Sequence, residues 1–235
     1  MAKINVKETD KTVAQHPEKP IKYEFTEEKP TIVEEPLLKY ETLNLDASKR
    51  YTYADYLTWF DDVRRELIGG LIHLMSAPVR IHQHILSTLS NLLSTFVRRR
   101  KGKCYVYFAP FDVRFPKNNV KDDEKVDTVV QPDICVICDR SKLDDKGCIG
   151  APDLMVEVLS PSSIQHDYKT KFDLYEEVGV REYWIVDPKT KTVHAFILQP
   201  NGKYNKGTVY NCTQKAPVHI FEGLKIDLKV LFEDL

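Results

Sequence analysis

Two carboxylates lie inside hydrophobic segments of this chain, and they constrain its fold more than any other feature. Asp133 follows Pro132 in the segment VVQPDICVI (129–137), and Glu157 occupies the middle of DLMVEVLSP (153–161). Both segments are rich in apolar and β-branched residues, so each is predicted to be a buried strand. Acidic side chains are rarely buried without a partner, and two on neighbouring strands repel each other unless a cation lies between them. The pattern therefore predicts a divalent-metal site and favours phosphodiester hydrolysis.

Asp133 and Glu157 are the candidate ligands of Mg²⁺ or Mn²⁺, and the backbone carbonyl of Val158 is a candidate third ligand. Each carboxylate also has a purely structural alternative. Asp133 would cap the end of a strand, and Glu157 would form a buried ion pair with Arg114 or Lys171. Because the two acids occur together, the metal site is the favoured interpretation.

Phosphodiester cleavage also needs a cationic side chain near the phosphate. Side chains alternate along a strand, so a lysine two residues after Glu157 would share its face, but Leu159 occupies that position. Lys169 and Lys171 belong to the next predicted helix, which could direct one of them back to the sheet. The alternative for Lys171 is a surface pair with Asp167, four residues earlier, worth about 0.2–0.5 kcal/mol.

Glu66 precedes Gly69-Gly70 and is a candidate further ligand of the metal or of water. Its alternative is a solvated charge beside Arg64 and Arg65. The dipeptide His166-Asp167 resembles one found in metal phosphohydrolases, but no partner spacing supports that function.

Four basic side chains are candidate phosphate contacts. His82 has an alternative as a helix-start or core histidine, which is the favoured interpretation. The basic run 98–103 has an alternative as a solvated helix end that interacts favourably with the helix dipole. The candidate contacts are His82, Arg98, Arg99 and Lys169.

The chain divides by composition into two parts. Residues 1–45 are rich in Lys, Glu, Thr and Pro, which predicts a flexible extension, and residues 46–235 are predicted to form one domain. Apolar periodicity in the second part predicts a mixed α/β domain, with helices around a central mixed sheet. The predicted helices are one capped by Thr52 and running to Phe60, then 81–99 and 166–178 with Gly179 as C-cap. The predicted strands are a pair, or one bent strand, within 66–75 with Gly69-Gly70 at the turn, then 104–108, 111–115, 128–138, 153–159, 183–186, 193–198, 204–210 and 218–221.

Composition limits the protein class. The formal net charge of −1 gives no overall basic excess, so any nucleic-acid binding must use a local patch. No apolar run approaches membrane-spanning length and the N-terminus lacks a signal core, which predicts a soluble, cytoplasmic protein without a membrane partner. Five cysteines without framework spacing predict reduced thiols, with Cys135 and Cys138 as buried structural residues.

Several segments in consistent order resemble the Uma-type family of the PD-(D/E)XK restriction-endonuclease-like superfamily. The matching segments are 66–70, 75–78 followed by His82-Gln83, 131–133, 153–162, 167–175 and 179–188. The resemblance implies a restriction-endonuclease-like core with Glu66, Asp133 and Glu157 as acidic site residues, and with Lys171 in place of the missing strand lysine. The doubled glycine after Glu66 and the 45-residue extension depart from the family pattern.

The resulting expectation is a Mg²⁺- or Mn²⁺-dependent endonuclease that cuts DNA, with a homodimer as the form that would cut both strands. A second expectation comes from the near-neutral charge and the displaced lysine. In it, the nuclease fold serves as a nucleic-acid-binding or protein-interaction module with weak or no catalysis.

Overall fold

The computed structural model describes residues 45–46, 48–100, 102–117 and 122–233. The predicted N-terminal extension lies outside the described residues except for its last one, so the division at residue 45 stays a prediction. The strands are β1 (Arg65–Ile68), β2 (Leu71–Leu74), β3 (Tyr105–Phe108), β4 (Val113–Arg114), β5 (Val129–Val130), β6 (Ile134–Ile137), β7 (Leu143–Asp144), β8 (Gly147–Ile149), β9 (Leu154–Val158), β10 (Glu182–Asp187), β11 (Thr192–Ile197), β12 (Thr208–Asn211), β13 (Lys215–Pro217) and β14 (Lys225–Asp227).

The strands form two mixed sheets where the sequence predicted one central sheet. The first has the order β2-β1-β5-β4-β8-β7 and the second has the order β12-β11-β10-β9-β6-β3, while β13 and β14 form a separate pair. In the second sheet β9 and β10 run parallel and the other neighbours run antiparallel. The predicted fold class, an α/β domain with helices around mixed sheet, is confirmed.

Helices flank both faces of the second sheet, and the short first helix packs against the first sheet. They are α1 (Tyr53–Tyr56), α2 (Arg80–Arg99), a π-helical turn (His166–Lys171) that continues into α3 (Phe172–Val178), and α4 (Leu228–Leu231). On one face, α2 buries Ile85, Leu89 and Leu93 against the sheet, and on the other Tyr175 of α3 packs in a second core cluster. Within the described part of the chain, no helix has the length and apolar character needed to cross a bilayer.

Two predicted helix ends have different outcomes. Thr52 and Asp55 form the capping box that begins α1, but the helix ends after one turn and does not reach Phe60. The predicted C-cap of α3 is confirmed, because Gly179 adopts the left-handed conformation at φ 85° that a glycine tolerates.

The predicted strand 128–138 is two strands that belong to different sheets. β5 ends at Val130 in the first sheet, and β6 begins at Ile134 in the second. Pro132 lies between them and has no N–H to donate to a ladder, which explains why the strand does not continue. The crossover 131–133 therefore joins the two sheets and places Asp133 at their junction.

Alternation of side chains along β9 follows the prediction. Val156 and Val158 pack in the core cluster that contains α2, whereas Met155 and Leu159 pack in the cluster on the opposite face. Glu157 shares the second face, so Leu159 is a core residue and carries no charge to the site.

Turns and short strands account for the remaining differences. Gly69 and Gly70, at φ 57° and 80°, join β1 to β2 as predicted. The segment 218–221 is not a strand, and β7, β8, β13 and β14 were not predicted. These elements are two or three residues long, too short to show a period of alternation.

The prediction that all cysteines are reduced is wrong for one pair. Cys104 and Cys138 form a disulfide. β3 and β6 pair antiparallel with Tyr105 opposite Ile137, so the residues just beyond that pair face each other. Cys135 and Cys148 are free and buried, as the sequence predicted for Cys135.

Candidate active site

Glu66, Asp133, Glu157 and Lys171 converge on one open cavity of about 400 Å³. Glu66 comes from β1, Asp133 from the crossover, Glu157 from β9 and Lys171 from the π-helical turn. Ile134 lies opposite Val156 in the β6–β9 register, so Asp133 and Glu157 form the next pair along the two strands. The structure therefore brings the four predicted site residues together, and their catalytic roles stay a prediction.

Lys171 lies at the centre of the acidic residues. Its Nζ is 2.9 Å from Oε1 of Glu157 and 3.1 Å from Oε1 of Glu66, with Oδ1 of Asp167 at 3.9 Å. Burial alone would lower the pKa of Lys171, but the three carboxylates raise it well above its usual value. The alternative of a surface pair between Asp167 and Lys171 is wrong, because both residues are only 3% exposed.

A π-helical turn brings the lysine back to the sheet. His166, Asp167 and Lys171 all line the cavity, although they belong to the element that follows β9. The wider i→i+5 backbone of a π-helix is rare and occurs often at functional sites. This turn supplies the cation that Leu159 cannot provide.

Glu157 is fixed by two donors on one oxygen. Its Oε1 accepts hydrogen bonds from Nζ of Lys171 and from the hydroxyl of Tyr175 at 2.7 Å. Burial and the neighbouring carboxylates raise the pKa of Glu157 well above its usual value, although Lys171 opposes that shift. The predicted ion pair with Lys171 is present, whereas Arg114 pairs with Asp123 and Asp144 instead.

Asp133 connects α2 to the end of β9. Its Oδ2 accepts a hydrogen bond from the N–H of Val158 at 2.7 Å and lies 3.0 Å from Nε2 of His82. His82 is in the first turn of α2, as the favoured interpretation predicted, and it also lines the cavity beside Asp133. Val158 also lines the cavity, and its role as a carbonyl ligand stays a prediction.

Glu66 is buried and ionised. Its Oε1 accepts a hydrogen bond from the N–H of Gln131 at 2.8 Å, and its Oε2 lies 3.5 Å from Nε2 of His166. Burial opposes ionisation, but Lys171, His166 and the Gln131 amide together lower the pKa of Glu66 to about 2. The alternative of a solvated charge is wrong, because Glu66 is 1% exposed.

Two histidines of the cavity were not predicted as site residues. His73 lies opposite Glu66 in the β1–β2 register, and its ring centroid is 4.8 Å from that of His166. Burial, with the neighbouring His166 as the next cause, lowers the pKa of His73 to about 4. The pairing of β1 with β2 is the sequence signal that would have found His73, because Gly69-Gly70 sets that register.

Three of the predicted phosphate contacts lie outside the cavity. Arg98 and Arg99 are exposed at the far end of α2, 16 residues from His82, which corresponds to about 24 Å along a helix. Lys169 is exposed and does not line the cavity, because its position in the π-helical turn points it away from Lys171. His82 is the one of the four that lies at the acidic cluster.

The carboxylates suit a hard divalent cation. Oδ1 of Asp133 and Oε2 of Glu157 accept no hydrogen bond from the described residues. The described residues contain no group of three His, Cys, Asp or Glu side chains already arranged around a metal position. Mg²⁺ commonly uses only one or two carboxylates and completes its shell with water and substrate phosphate, so the two free oxygens fit it. Four carboxylates line the cavity against Arg64 and Lys171 as permanent cations, which leaves an excess of acidic groups.

The fold and its cluster of acids with one lysine define a restriction-endonuclease-like α/β protein. The chain belongs to the family described as "Uma2: Putative restriction endonuclease", whose model matches residues 53–229. Nucleases of this class generally use divalent metal ions. None of the curated proteins matches the chain.

A solved structure has the same fold. It is described as a putative nuclease belonging to DUF820 from Anabaena variabilis ATCC 29413, and its TM-score against this chain is 0.61 at 21% sequence identity. The match covers 77% of this chain and 97% of the other. At this identity the likeness establishes the fold.

Proposed function

We propose that this protein is a Mg²⁺- or Mn²⁺-dependent endonuclease that hydrolyses phosphodiester bonds of DNA. The observation that carries the proposal is the meeting of Glu66, Asp133, Glu157 and Lys171 in one cavity. Three of these side chains come from strands or strand ends and the fourth from a helical turn, so the arrangement is a property of the fold rather than of one segment.

Asp133 and Glu157 would hold the metal through Oδ1 and Oε2, and the carbonyl of Val158 is the proposed third ligand. When bound, the ion would supply positive charge beside the scissile phosphate and make an attacking water more acidic. The Tyr175 hydroxyl and the Val158 N–H fix the other oxygens of the two carboxylates, at 2.7 Å in each case. The free oxygens are therefore oriented before substrate binds.

Lys171 is the proposed stabiliser of the charge that develops on phosphorus. Its ammonium has three N–H donors; one bonds Oε1 of Glu157, and Oε1 of Glu66 lies in ion-pair contact at 3.1 Å. In the proposal, a remaining donor contacts a water or a phosphate oxygen. Because the carboxylates raise the pKa of Lys171, it stays positively charged throughout the neutral range. Glu66, ionised with a pKa of about 2, holds the ammonium in place and assists through the metal or water.

In the proposed reaction, water attacks phosphorus in line with the departing 3′ oxygen. A P–O bond to water forms and the P–O3′ bond breaks, which leaves a phosphate on one product and a hydroxyl on the other. The water's proton passes to solvent, and the 3′ oxygen gains one.

The direct test is cleavage of plasmid and oligonucleotide DNA by purified protein with Mg²⁺ or Mn²⁺. Asp133→Asn and Glu157→Gln are expected to lower the rate by about 10²-fold or more, since each removes a charge at the reacting phosphate. Glu177→Gln is the matched control, because Glu177 is exposed on α3 and lies outside the cavity. Full activity in both Asp133→Ala and Glu157→Ala would contradict the proposal.

A second candidate function is a nucleic-acid-binding or protein-interaction module with little catalysis. It is favoured by the charges of the cavity, which contains four carboxylates but only Arg64 and Lys171 as permanent cations. Titration calorimetry separates the two functions. Intact DNA binding without any heat of Mg²⁺ or Mn²⁺ binding would favour the module. Homodimer formation and a cytoplasmic location stay predictions.

A further inference from the structure

The loop between α1 and β1 exposes Phe60 between Trp59 and Asp61, two residues that line a second cavity. Phe60 is 95% exposed, the largest value among the large hydrophobic side chains that the structure describes. Trp59, its neighbour, is instead held in place. The Trp59 ring lies 5.2 Å from that of Tyr51 and 5.7 Å from that of Tyr56, and the guanidinium of Arg65 lies 4.9 Å over it. One of two consecutive aromatic residues is packed and the other faces solvent.

The second cavity adjoins the candidate active site. It measures about 280 Å³, and its walls include Tyr56, Trp59 and Pro110. Arg64 lines both cavities. Gln131 separates them, because its backbone N–H bonds to Glu66 on one side and its side-chain Nε2 bonds to the Tyr56 hydroxyl at 3.1 Å on the other.

The charges of the second cavity favour a neutral, flat ligand. Arg65 is buried and pairs with Asp61, so that charge is balanced. Arg64 contacts Gln131 Oε1 only at 3.4 Å from Nε and from Nη2, which are long hydrogen bonds. The Arg64 guanidinium can therefore donate hydrogen bonds to a ligand between the two cavities, and the rings of Tyr56 and Trp59 line the second cavity.

We propose that Phe60 and the second cavity bind an unpaired nucleobase of the strand that is cut in the first cavity, with Arg64 contacting the phosphate between the two. The inference rests on the proposed nuclease function and specifies its substrate as a strand with an unpaired base next to the scissile bond. Aromatic side chains bind single-stranded bases by stacking without regard to sequence, and arginine contacts the linking phosphates.

The test measures binding by fluorescence anisotropy in the Glu157→Gln background, in which the probe is not cut. The probes are a short labelled single strand and a duplex of the same sequence. Phe60→Ala is expected to weaken single-strand binding by about five- to 100-fold, the range for loss of one base–aromatic stack. Phe60→Tyr keeps the ring and should retain binding, while Phe60→Leu keeps apolar bulk and should not. Phe108→Ala is the matched control, since Phe108 is a second exposed aromatic residue, at 55%, outside both cavities.

A 2-aminopurine base in the single strand reports stacking directly, through quenching that Phe60→Ala should abolish. Equal binding by Phe60→Ala and its parent, full binding by Phe60→Leu, or no single-strand binding by the parent would each overturn the inference. So would a change from dimer to monomer in Phe60→Ala by sedimentation, which would assign Phe60 to a contact between copies. If wild type cuts DNA and Phe60→Ala cuts it equally well, the nuclease function stands and the base-binding proposal is wrong. If binding depends on Phe60 but wild type does not cut DNA, the nuclease function alone is wrong.

Discussion

Nζ of Lys171 lies 2.9 Å from Oε1 of Glu157, and this contact joins the helical layer to the sheet. Both side chains are buried, so neither charge is solvated without the other. Because the lysine comes from the helical layer, position 159 on the strand can carry a leucine, and Leu159 packs in the core.

Replacement of Lys171 by Met should lower the free energy of unfolding by about 3–5 kcal/mol, because Glu157 and Glu66 would remain buried without their cation. Adding Glu157→Gln to Lys171→Met should recover part of the loss. Urea unfolding measures both, with exposed Lys169→Met as a control expected within about 0.5 kcal/mol of wild type. A double variant less stable than Lys171→Met would contradict the ion-pair account.

His82 is expected to act on the metal through Asp133. Because Nε2 of His82 lies 3.0 Å from Oδ2 of Asp133, His82→Leu should weaken Mn²⁺ binding by about 10–100-fold. His82→Gln, which keeps a polar group there, should lose less. Calorimetry with Mn²⁺ is the measurement, and His84→Leu, on the same turn but outside the cavity, is the control. Equal affinities for His82→Leu and His84→Leu would show that Asp133 needs no such support.

Metal binding should weaken as the pH falls through the raised pKa of Glu157. Burial and the neighbouring acids raise that pKa, so Glu157 takes up a proton at a higher pH than an ordinary carboxyl group. A protonated carboxyl does not bind a metal ion, and the metal therefore competes with the proton. Mn²⁺ titrations across the acidic range should give a lower affinity at lower pH. The pH at which half of the protein has lost its metal should be lower at a higher Mn²⁺ concentration. A flat profile in wild type, like that expected for Glu157→Gln, would exclude this role.

Global stability should depend on the pH through His194, which lies away from the cavity. Burial lowers its pKa from 6.5 to about 4 in the folded state. Between these values the unfolded chain binds more protons, so the stabilising contribution is complete above about 6.5 and is lost as the pH falls toward 4, at up to about 1.4 kcal/mol per pH unit. Thermal unfolding of His194→Gln should show a shallower pH slope than wild type. An unchanged slope would assign the dependence to other groups.

Arg98 and Arg99 should matter only for long substrates. They lie about 24 Å along α2 from His82, which corresponds to roughly seven base pairs of duplex. The double change Arg98→Ala, Arg99→Ala should not alter cleavage of a duplex that is too short to reach these side chains. For a long duplex, the double variant should bind more weakly, and its affinity should depend less on salt than that of wild type. Weakened cleavage of the short duplex would place these side chains at the reacting phosphate.

Local pattern was enough to predict the buried acids, the long helix α2 and the β1–β2 turn, because alternation, helical spacing and paired glycines are properties of adjacent residues. The position of Lys171 followed from the family resemblance and from the absence of a lysine at 159. The sequence did not predict that 128–138 is divided between two sheets, since Pro132 shows only that a ladder is interrupted.

Contacts between separate elements were beyond the sequence. Tyr175 reaches Glu157 only because α3 packs beside β9. His82 was assigned to a helix start, and its approach to Asp133 depends on the angle at which α2 crosses the second sheet. The disulfide between Cys104 and Cys138 likewise required the register of β3 on β6.

The crossover at 131–133 makes the spacing of the acidic groups a matter of chain length. Gln131 bonds Glu66 of the first sheet, and two residues later Asp133 bonds Val158 of the second, so three consecutive residues hold the two halves of the cavity in register. Insertion or deletion of one residue there would separate the acids by a full residue of backbone. Surface loops generally tolerate insertions and deletions, whereas a change of length here would shift Asp133 relative to Glu66, so the length of this crossover sets the width of the site.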